Sequence, residues 1–326
     1  MAALTAILAL AGVYVPVLGA IIMLMWTLPV VVVCMRHGMR VGLATIAVAG
    51  VAILVITSPA IAFNMLLTSA APALLIGRGF QRLWRTEKTV LYAAAAACVG
   101  LAANVAVSVF VMGLDFSTLF SVSPETLSEM AAVFTEYGMA SSLGMSAEEF
   151  IDTMVAMMSM LQLVLPAMLL IGGMFMAFTN YMVANTVLRR LKLPIPPLTR
   201  LSTFRLPLAC VFGFIVGFAL DVLGNILWPQ RHVLVTIGQN IWLVFLAVYI
   251  FQGLGLILYY IGKAPPSMQG FWKFMLIFLI VITAFNFVPI MGYIGIADAL
   301  LDFRRLETVR KDDQGDKGDK DGKVSD

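Results

Sequence analysis

Long uncharged apolar segments alternate along the chain with short polar segments. Many apolar segments hold about 20 residues, enough for a helix to cross the roughly 30 Å hydrocarbon core of a bilayer. Their apolar residues are continuous, whereas the strands of a membrane barrel alternate between apolar and polar positions. The pattern therefore predicts an all-α protein, a polytopic transmembrane helical bundle.

We place eight long membrane helices and two short terminal membrane segments on this pattern. One transmembrane helical domain covers residues 1–306, and the polar, low-complexity residues 307–326 are predicted to be a disordered cytoplasmic tail. The short segments are predicted at 3–13 and 290–303. The long helices are predicted at 16–34, 41–56, 60–77, 89–112, 150–190, 206–228, 232–261 and 270–288.

The basic residues separate the segments in a consistent way. Twenty of the 21 lysines and arginines lie in five short stretches, and only Arg231 lies elsewhere. Basic loops of membrane proteins face the cytoplasm, which predicts a multi-pass protein with both termini cytoplasmic. The five stretches are 36–40, 78–88, 189–205, 263–273 and 304–323.

Residues 113–151 differ from the rest of the chain, because they are acidic and contain no lysine or arginine. Ser123-Pro124 resembles a helix start with proline in the first turn, and Ser146-Ala-Glu-Glu149 fits a capping box. Leu127, Met130, Ala131 and Phe134 recur at helical spacing on one apolar face. We predict an extracytoplasmic amphipathic insertion of two short helices that lies over the outer ends of the bundle.

Composition excludes several classes of function. With 61% hydrophobic and 12% charged residues and a mean hydropathy of +0.97, the chain is not an ordinary soluble domain. The chain has no basic face with interleaved aromatic residues, so nucleic-acid binding is not predicted. His37 and His232 fall on opposite sides of the membrane, and no phosphate-binding loop is present. We predict no enzyme activity, metal or cofactor, and we interpret the three cysteines as packing residues.

Polar side chains within the spans are candidates for function, because polar groups are costly in hydrocarbon. Five predicted helices carry amides or a carboxylate in their outer parts, which would suit a small polar or amphipathic ligand arriving from outside. Alternatively, these residues are merely interfacial. The predicted ligand-binding residues are Asn64, Asn104, Asp221, Asn225, Gln239, Asn240 and Asn286.

One stripe is more specific. Gly213, Gly217, Asp221 and Asn225 recur at a spacing of four and share one face of a helix. Glycines at this spacing let a second helix approach closely, which would turn Asp221 toward the bundle interior. Asn225 would turn inward with it, and we expect the partners of Asp221 among the amides of Asn104, Gln239, Asn240 and Asn286.

Polar residues also precede basic residues at two predicted cytoplasmic helix ends. Asn180 and Asn185 precede Arg189 and Arg190. Asp298 and Asp302 precede the Arg304-Arg305 pair. These groups form either ion pairs that fix the helix ends or a docking surface for a cytoplasmic partner.

Several of these segments together resemble the YybS family of bacterial membrane proteins, over roughly residues 1–306. They are Arg36-His-Gly-Met-Arg-Val-Gly42, Asn185-Thr-Val-Leu-Arg-Arg-Leu191, Pro194-Ile-Pro-Pro197 with Arg205-Leu-Pro207, and Gly295-Ile-Ala-Asp298 with Asp302-Phe-Arg-Arg-Leu306. The family has no known function, but it looks related to the S components of energy-coupling-factor vitamin transporters. The resemblance implies the bacterial cytoplasmic (inner) membrane.

The S components bind a small molecule in an outward-facing pocket and dock on a transmembrane coupling subunit driven by separate ATPases. Their docking helix carries small residues at the spacing of Ala2 and Ala6, and we add Arg189 and Arg190 as predicted docking residues. The acidic outer segment and the additional spans depart from the six-helix plan of S components. Two hypotheses follow: a solute-binding transport subunit, or a non-transporting membrane interaction or scaffold protein.

Overall fold

The structure is a computed structural model that describes residues 1–16, 18–111, 113, 122–138, 144–199, 201–227, 232–282 and 284–304. Within these residues the secondary structure is helical and contains no strand. The predicted all-α class is therefore confirmed. The predicted tail at 307–326 lies outside the described residues.

The chain divides into two units, which subdivide the single membrane domain drawn from the sequence. Unit 1 covers Met1–Leu198 and unit 2 covers Thr199–Asp326. The helices of unit 1 are α1 (Ala2–Tyr14), α2 (Gly19–Met23), α3 (Leu28–His37), α4 (Met39–Ile56), α5 (Pro59–Gln81), α6 (Thr86–Phe110), α7 (Pro124–Glu136), α8 (Ala147–Leu163) and α9 (Leu165–Arg190). Those of unit 2 are a 3₁₀ turn (Leu201–Thr203), α10 (Ala209–Leu227), α11 (His232–Lys263), α12 (Pro266–Ile282) and α13 (Ala284–Leu301).

Six helices in the described part of the chain are long and apolar enough to cross a membrane. They are α4, α5, α6, α9, α10 and α11. The predicted number of eight long helices is therefore not confirmed within the described residues. A multi-pass membrane protein remains the result.

The predicted span at 16–34 is wrong, because it is not one continuous helix. The structure has the single short turn of α2 and then α3, with an irregular connection between them. Proline lies in the first turn of α3, at Pro29. Since proline has no backbone N–H and fits best where a helix starts, it favours a new helix there.

The predicted continuous helix at 150–190 is also wrong. Helix α8 ends and α9 begins on either side of Val164, whose φ and ψ are −95° and 7°. Pro166 lies in the first turn of α9. This proline was predicted to be tolerated inside one helix, but it lies at the start of a second helix.

The last predicted spans, 270–288 and 290–303, fall on α12 (Pro266–Ile282) and α13 (Ala284–Leu301). Residue 283, between the two helices, lies outside the described residues. Pro289 lies inside α13. Asn286 also lies on α13; its side chain is not described.

The core of unit 1 lies where α3, α5, α6 and α9 meet. Tyr181 is fully buried, stacks on Phe80 with ring centroids 5.1 Å apart, and shares a hydrogen bond with Thr86. Gly77 permits close packing here, because a Cβ on it would lie 2.6 Å from the Cβ of Cys34. The Cys34 thiol donates to the Leu74 carbonyl at 3.4 Å, which accords with a packing role.

The helix starts predicted at Ser123 and Ser146 are confirmed by α7 and α8, and α8 continues beyond the acidic segment to Leu163. The Ser123 hydroxyl accepts from the Thr126 backbone N–H, and Ser146 with Glu149 forms the complete capping box. Phe134 of α7 stacks on Phe150 of α8 at 4.4 Å. Leu127, Ala131 and Phe134 are buried, whereas Met130 is exposed, so the apolar face is narrower than predicted. The predicted placement over the bundle stays a prediction.

Replacing Ser146 with alanine is expected to destabilise the first turn of α8 by about 0.5–2 kcal/mol, the usual loss for an N-cap. The Ser146 hydroxyl accepts from the Glu149 backbone N–H at 3.1 Å. Hydrogen exchange of the first-turn amides measures the change. Ser159→Ala is the control, because that hydroxyl bonds a carbonyl within the helix and caps nothing. Equal exchange in both variants would contradict the prediction.

The same cap should respond to pH. The Ser146 backbone N–H and then its hydroxyl lower the pKa of the Glu149 carboxyl from its ordinary value. Because the pKa is lower in the folded helix than in the unfolded chain, the stabilisation is present above about pH 4.3 and is lost as the pH falls through the lowered value. A lower protection factor of the first-turn amides in acid, relative to the intrinsic exchange rate at each pH and absent in Glu149→Gln, checks this origin.

Candidate functional site

The carboxylate of Asp221 lies between α10 and α11, partly buried. It accepts one hydrogen bond from the Trp242 indole Nε1 at 3.2 Å and one from the Asn225 amide Nδ2 at 3.2 Å. The same Asn225 amide also donates to the Asp221 backbone carbonyl at 3.0 Å. A carboxylate has about four acceptor positions on its two oxygens, and these two donors use half of them.

Glycines explain why the two helices come so close at this point. A Cβ on Gly217 would lie 2.6 Å from the Trp242 backbone nitrogen, and a Cβ on Gly238 would lie 2.7 Å from the Gly217 carbonyl oxygen. A Cβ on Gly213 would overlap the ring of Phe245. The close approach predicted from Gly213 and Gly217 is therefore observed, and the partner is α11.

The other predicted residues of unit 2 are less well connected to Asp221. Gln239 and Asn240 lie on α11 and are partly buried. The Asn240 amide donates to the Thr236 carbonyl at 2.8 Å. The donors that the structure shows for Asp221 are thus Trp242 and Asn225. Neither was among the predicted donors, and within the described residues the predicted Gln239 and Asn240 are not donors to Asp221. No sequence signal marks Trp242 as this donor, because the contact depends on which helix packs against the glycine stripe.

Two predicted ligand residues belong to unit 1. Asn64 is exposed on α5, and Asn104 is partly buried on α6. The predicted belt of seven residues is therefore divided between the two units, and the geometry of this site concerns the members in unit 2. The ligand role of all seven residues stays a prediction.

The predicted docking residues differ in their exposure to solvent and in their hydrogen bonds. Ala6 is 6% exposed, on a helix packed against its neighbours in unit 1, and Ala2 is partly exposed. The Arg189 guanidinium donates to the Asn185 side-chain oxygen at 2.9 Å and to the Pro196 carbonyl at 3.2 Å. Arg190 is exposed at the end of α9.

A second polar group, at the end of unit 2 where α13 terminates, is fully buried. Arg304 Nη2 forms an ion pair with the Asp298 carboxylate at 2.6 Å, and both side chains are almost inaccessible to solvent. The Gln252 amide, on α11, donates to the same carboxylate oxygen at 2.9 Å. The ion-pair alternative proposed for Asp298 is thus the one observed.

The segment before α10 is held by the same residues. Arg304 donates to the carbonyls of Ser202 and Phe204, each at 2.9 Å, and the Gln252 side-chain oxygen accepts from the Leu206 backbone N–H at 3.0 Å. The partly buried Arg205–Asp302 ion pair, at 3.2 Å, lies in the same segment. Two basic stretches that lie about a hundred residues apart in sequence therefore meet at one end of unit 2.

No group of three histidine, cysteine, aspartate or glutamate side chains in the described ranges is arranged to hold a metal ion. The three cysteines are free. Two polar groups in the described part of unit 2 are the Asp221 site and the buried Arg304 network.

A known protein family matches nearly the whole chain. The family described as "Predicted membrane protein (DUF2232)" matches residues 3–299. The chain belongs to this family. The match includes Asp221, Trp242, Gln252 and Asp298 and ends before Arg304.

A curated relative of this family member is the uncharacterized protein YybS of Bacillus subtilis (strain 168). It is 24% identical over 264 residues, which cover 80% of this chain and 82% of the relative. The predicted resemblance to the YybS family is thus confirmed. No solved structure matches the chain. Neither description names a transporter, so the relation to S components stays a prediction.

Proposed function

We propose that this protein is a solute-binding membrane subunit that binds a small polar molecule at Asp221. The observation that carries the proposal is the Asp221 carboxylate itself, held within a membrane helix by the Trp242 indole and the Asn225 amide. Ionisable residues inside spans are costly and are associated with substrate and ion pathways. Binding rather than catalysis is the function that such a site supports.

The chemistry of the site favours a solute that carries an ammonium group or several hydrogen-bond donors. In the described part of unit 2, the two arginines that form ion pairs, Arg205 and Arg304, pair with Asp302 and Asp298 and not with Asp221. A cationic solute would complement the Asp221 carboxylate, and the Trp242 ring beside it offers a face to a cation.

Replacing Asp221 with asparagine is expected to reduce solute binding about 10- to 100-fold, the range for a hydrogen bond to a charged group. Shape and most hydrogen-bonding capacity are retained, so the fold should be kept. Asp221→Leu should also destabilise the protein, since the Trp242 and Asn225 donors would lose their acceptor. Native mass spectrometry of the purified protein measures the fraction that retains a co-purified small molecule.

Asp152→Asn is the matched control, because Asp152 is an exposed carboxylate on α8. It should retain the solute at the level of the unmodified protein. Equal retention in Asp221→Asn and Asp152→Asn would leave Asp221 a structural role and refute the site. A protein that carries no small molecule in any variant would favour the second function described below.

The proposed site faces outward in the topology that the basic residues predict. Asp221 precedes the end of α10 by six residues, about 9 Å along the helix. In a cysteine-free background, Glu136→Cys should react with an impermeant maleimide on intact cells, whereas Arg190→Cys should need permeabilisation. The reverse pattern would invert the topology and direct the site to the cytoplasm.

Transport would require a transmembrane coupling subunit with separate ATPases. What supports a docking surface is the exposed Arg190 at the end of α9. The second candidate function, a non-transporting interaction or scaffold protein, is favoured by the buried Asp298–Arg304 pair, which orders the loop before α10. The loop that this pair orders would offer a fixed surface to a docked protein.

A further inference from the structure

The end of unit 1 where α3, α4 and α5 meet contains an open cleft of about 430 Å³. The turn between α3 and α4 forms one side, and the last turn of α5 forms the other. The charged or titratable side chains that line it are His37, Arg40, Arg78 and Arg82. No carboxylate lines it.

The positive charge of this cleft is not neutralised by a carboxylate within the described residues. The arginines that form ion pairs in those residues are Arg205 and Arg304, in unit 2. Three arginines therefore line one concave surface. Guanidinium is the side chain that best matches phosphate oxygens, because its planar fork donates two parallel hydrogen bonds.

The backbone adds further donors on the same side. Helix α4 starts after Gly38, whose φ is 89°, and no side chain caps its first turn. The first intrahelical bond runs from the Gly42 N–H to the Gly38 carbonyl at 3.1 Å. The N–H groups of Met39 and Arg40 therefore lack helical acceptors, and both residues line the cleft. The positive end of the helix dipole reinforces the attraction for an anion.

An apolar ridge leaves the cleft along α4. Arg40, Leu43 and Val51 share one helical face, and Leu43 and Val51 are 57% and 62% exposed. In a membrane this ridge faces acyl chains. An anion that carries a long apolar chain would contact both the guanidinium groups and the ridge, whereas free phosphate would contact only the former.

We propose that this cleft binds the phosphate headgroup of an anionic phospholipid, with one acyl chain along the ridge of Leu43 and Val51. Basic pockets between membrane helices are the usual form of such sites. The site is independent of the Asp221 site, which lies in unit 2. Its occupant is a lipid of the bilayer and not a transported solute.

Native mass spectrometry of the purified full-length protein, titrated with phosphatidylglycerol or phosphatidylcholine, tests the proposal. The Arg40→Gln/Arg82→Gln variant should bind phosphatidylglycerol at least about tenfold more weakly, with little change for phosphatidylcholine. The matched control is Arg36→Gln/Arg85→Gln, which removes the same charge from the same two basic stretches at exposed positions that do not line the cleft. It should change phosphatidylglycerol binding less than twofold.

Two outcomes would overturn the proposal. Equal weakening in both double variants would mean that the lipid senses the general surface charge and not the cleft. Competition by inorganic phosphate or glycerol phosphate as strong as that by phosphatidylglycerol would identify a free-phosphate site instead. Circular dichroism of each variant shows that the comparison is made between folded proteins.

Discussion

Replacing Arg304 with methionine is expected to destabilise the protein by about 3–5 kcal/mol, because it leaves the buried Asp298 carboxylate without its cation. Asp298 is 2% exposed and Arg304 is 3% exposed. The substitution also removes the donors to the Ser202 and Phe204 carbonyls. Unfolding by dodecyl sulfate titration in mixed micelles measures the change in the free energy of unfolding.

The double variant Asp298→Leu/Arg304→Met distinguishes the ion pair from other causes. Removing both charges should recover a large part of the loss, because the cost of an unpaired buried charge exceeds the net value of the pair. Arg190→Met, at an exposed arginine on α9, is the control and should cost less than about 0.5 kcal/mol. A loss in Arg304→Met as small as in Arg190→Met would show that the pair contributes little.

Replacing Gly253 with alanine is expected to destabilise the protein by about 3 kcal/mol, at the upper end of the range for overpacking. A Cβ on Gly253 would overlap the Met291 carbonyl oxygen, and a Cβ on Gly295 would overlap the Tyr249 carbonyl oxygen. These are backbone atoms of α11 and α13, so a flexible side chain cannot move aside. The two helices would have to separate.

Gly262→Ala is the control for this prediction, because Gly262 lies on the same helix and a Cβ there would contact nothing within 4 Å. Alanine favours the helix over glycine, so this variant should be neutral or slightly more stable. Thermal unfolding in detergent compares the two variants. Similar melting temperatures would mean that α11 and α13 are not held by the close approach at Gly253.

The positions of most helices could be predicted from apolar length and charge. The spans predicted at 41–56 and 206–228 correspond to α4 and α10, whose observed bounds differ by only a few residues. The predictions of one continuous helix at 16–34 and at 150–190 were wrong for the same reason. A proline within an apolar run is compatible with a kinked helix or with a new helix start, and the packing of the neighbouring elements selects between them.

The candidate site was predicted in part. The spacing of Gly213, Gly217 and Asp221 indicated a carboxylate on a face of close packing, and that face does contact α11. The partner could not be read from α10 alone. The sequence did not indicate Trp242 as a donor, because a single indole in an apolar helix forms no periodic pattern. Trp242 also lies 21 residues from Asp221 along the chain, so no local spacing relates the two.

The sequence by itself determined the all-helical membrane class, the division into apolar spans and basic loops, the helix starts at Ser123 and Ser146, and the family. These features depend on local composition and on the free energy of transfer into lipid, which each segment carries on its own. Only the tertiary structure decided where helices break, that Trp242 donates to Asp221, and that Gln252 and Arg304 enclose Asp298. Those contacts join residues far apart in the chain, and a pairing between distant side chains exists only after the helices that carry them have packed.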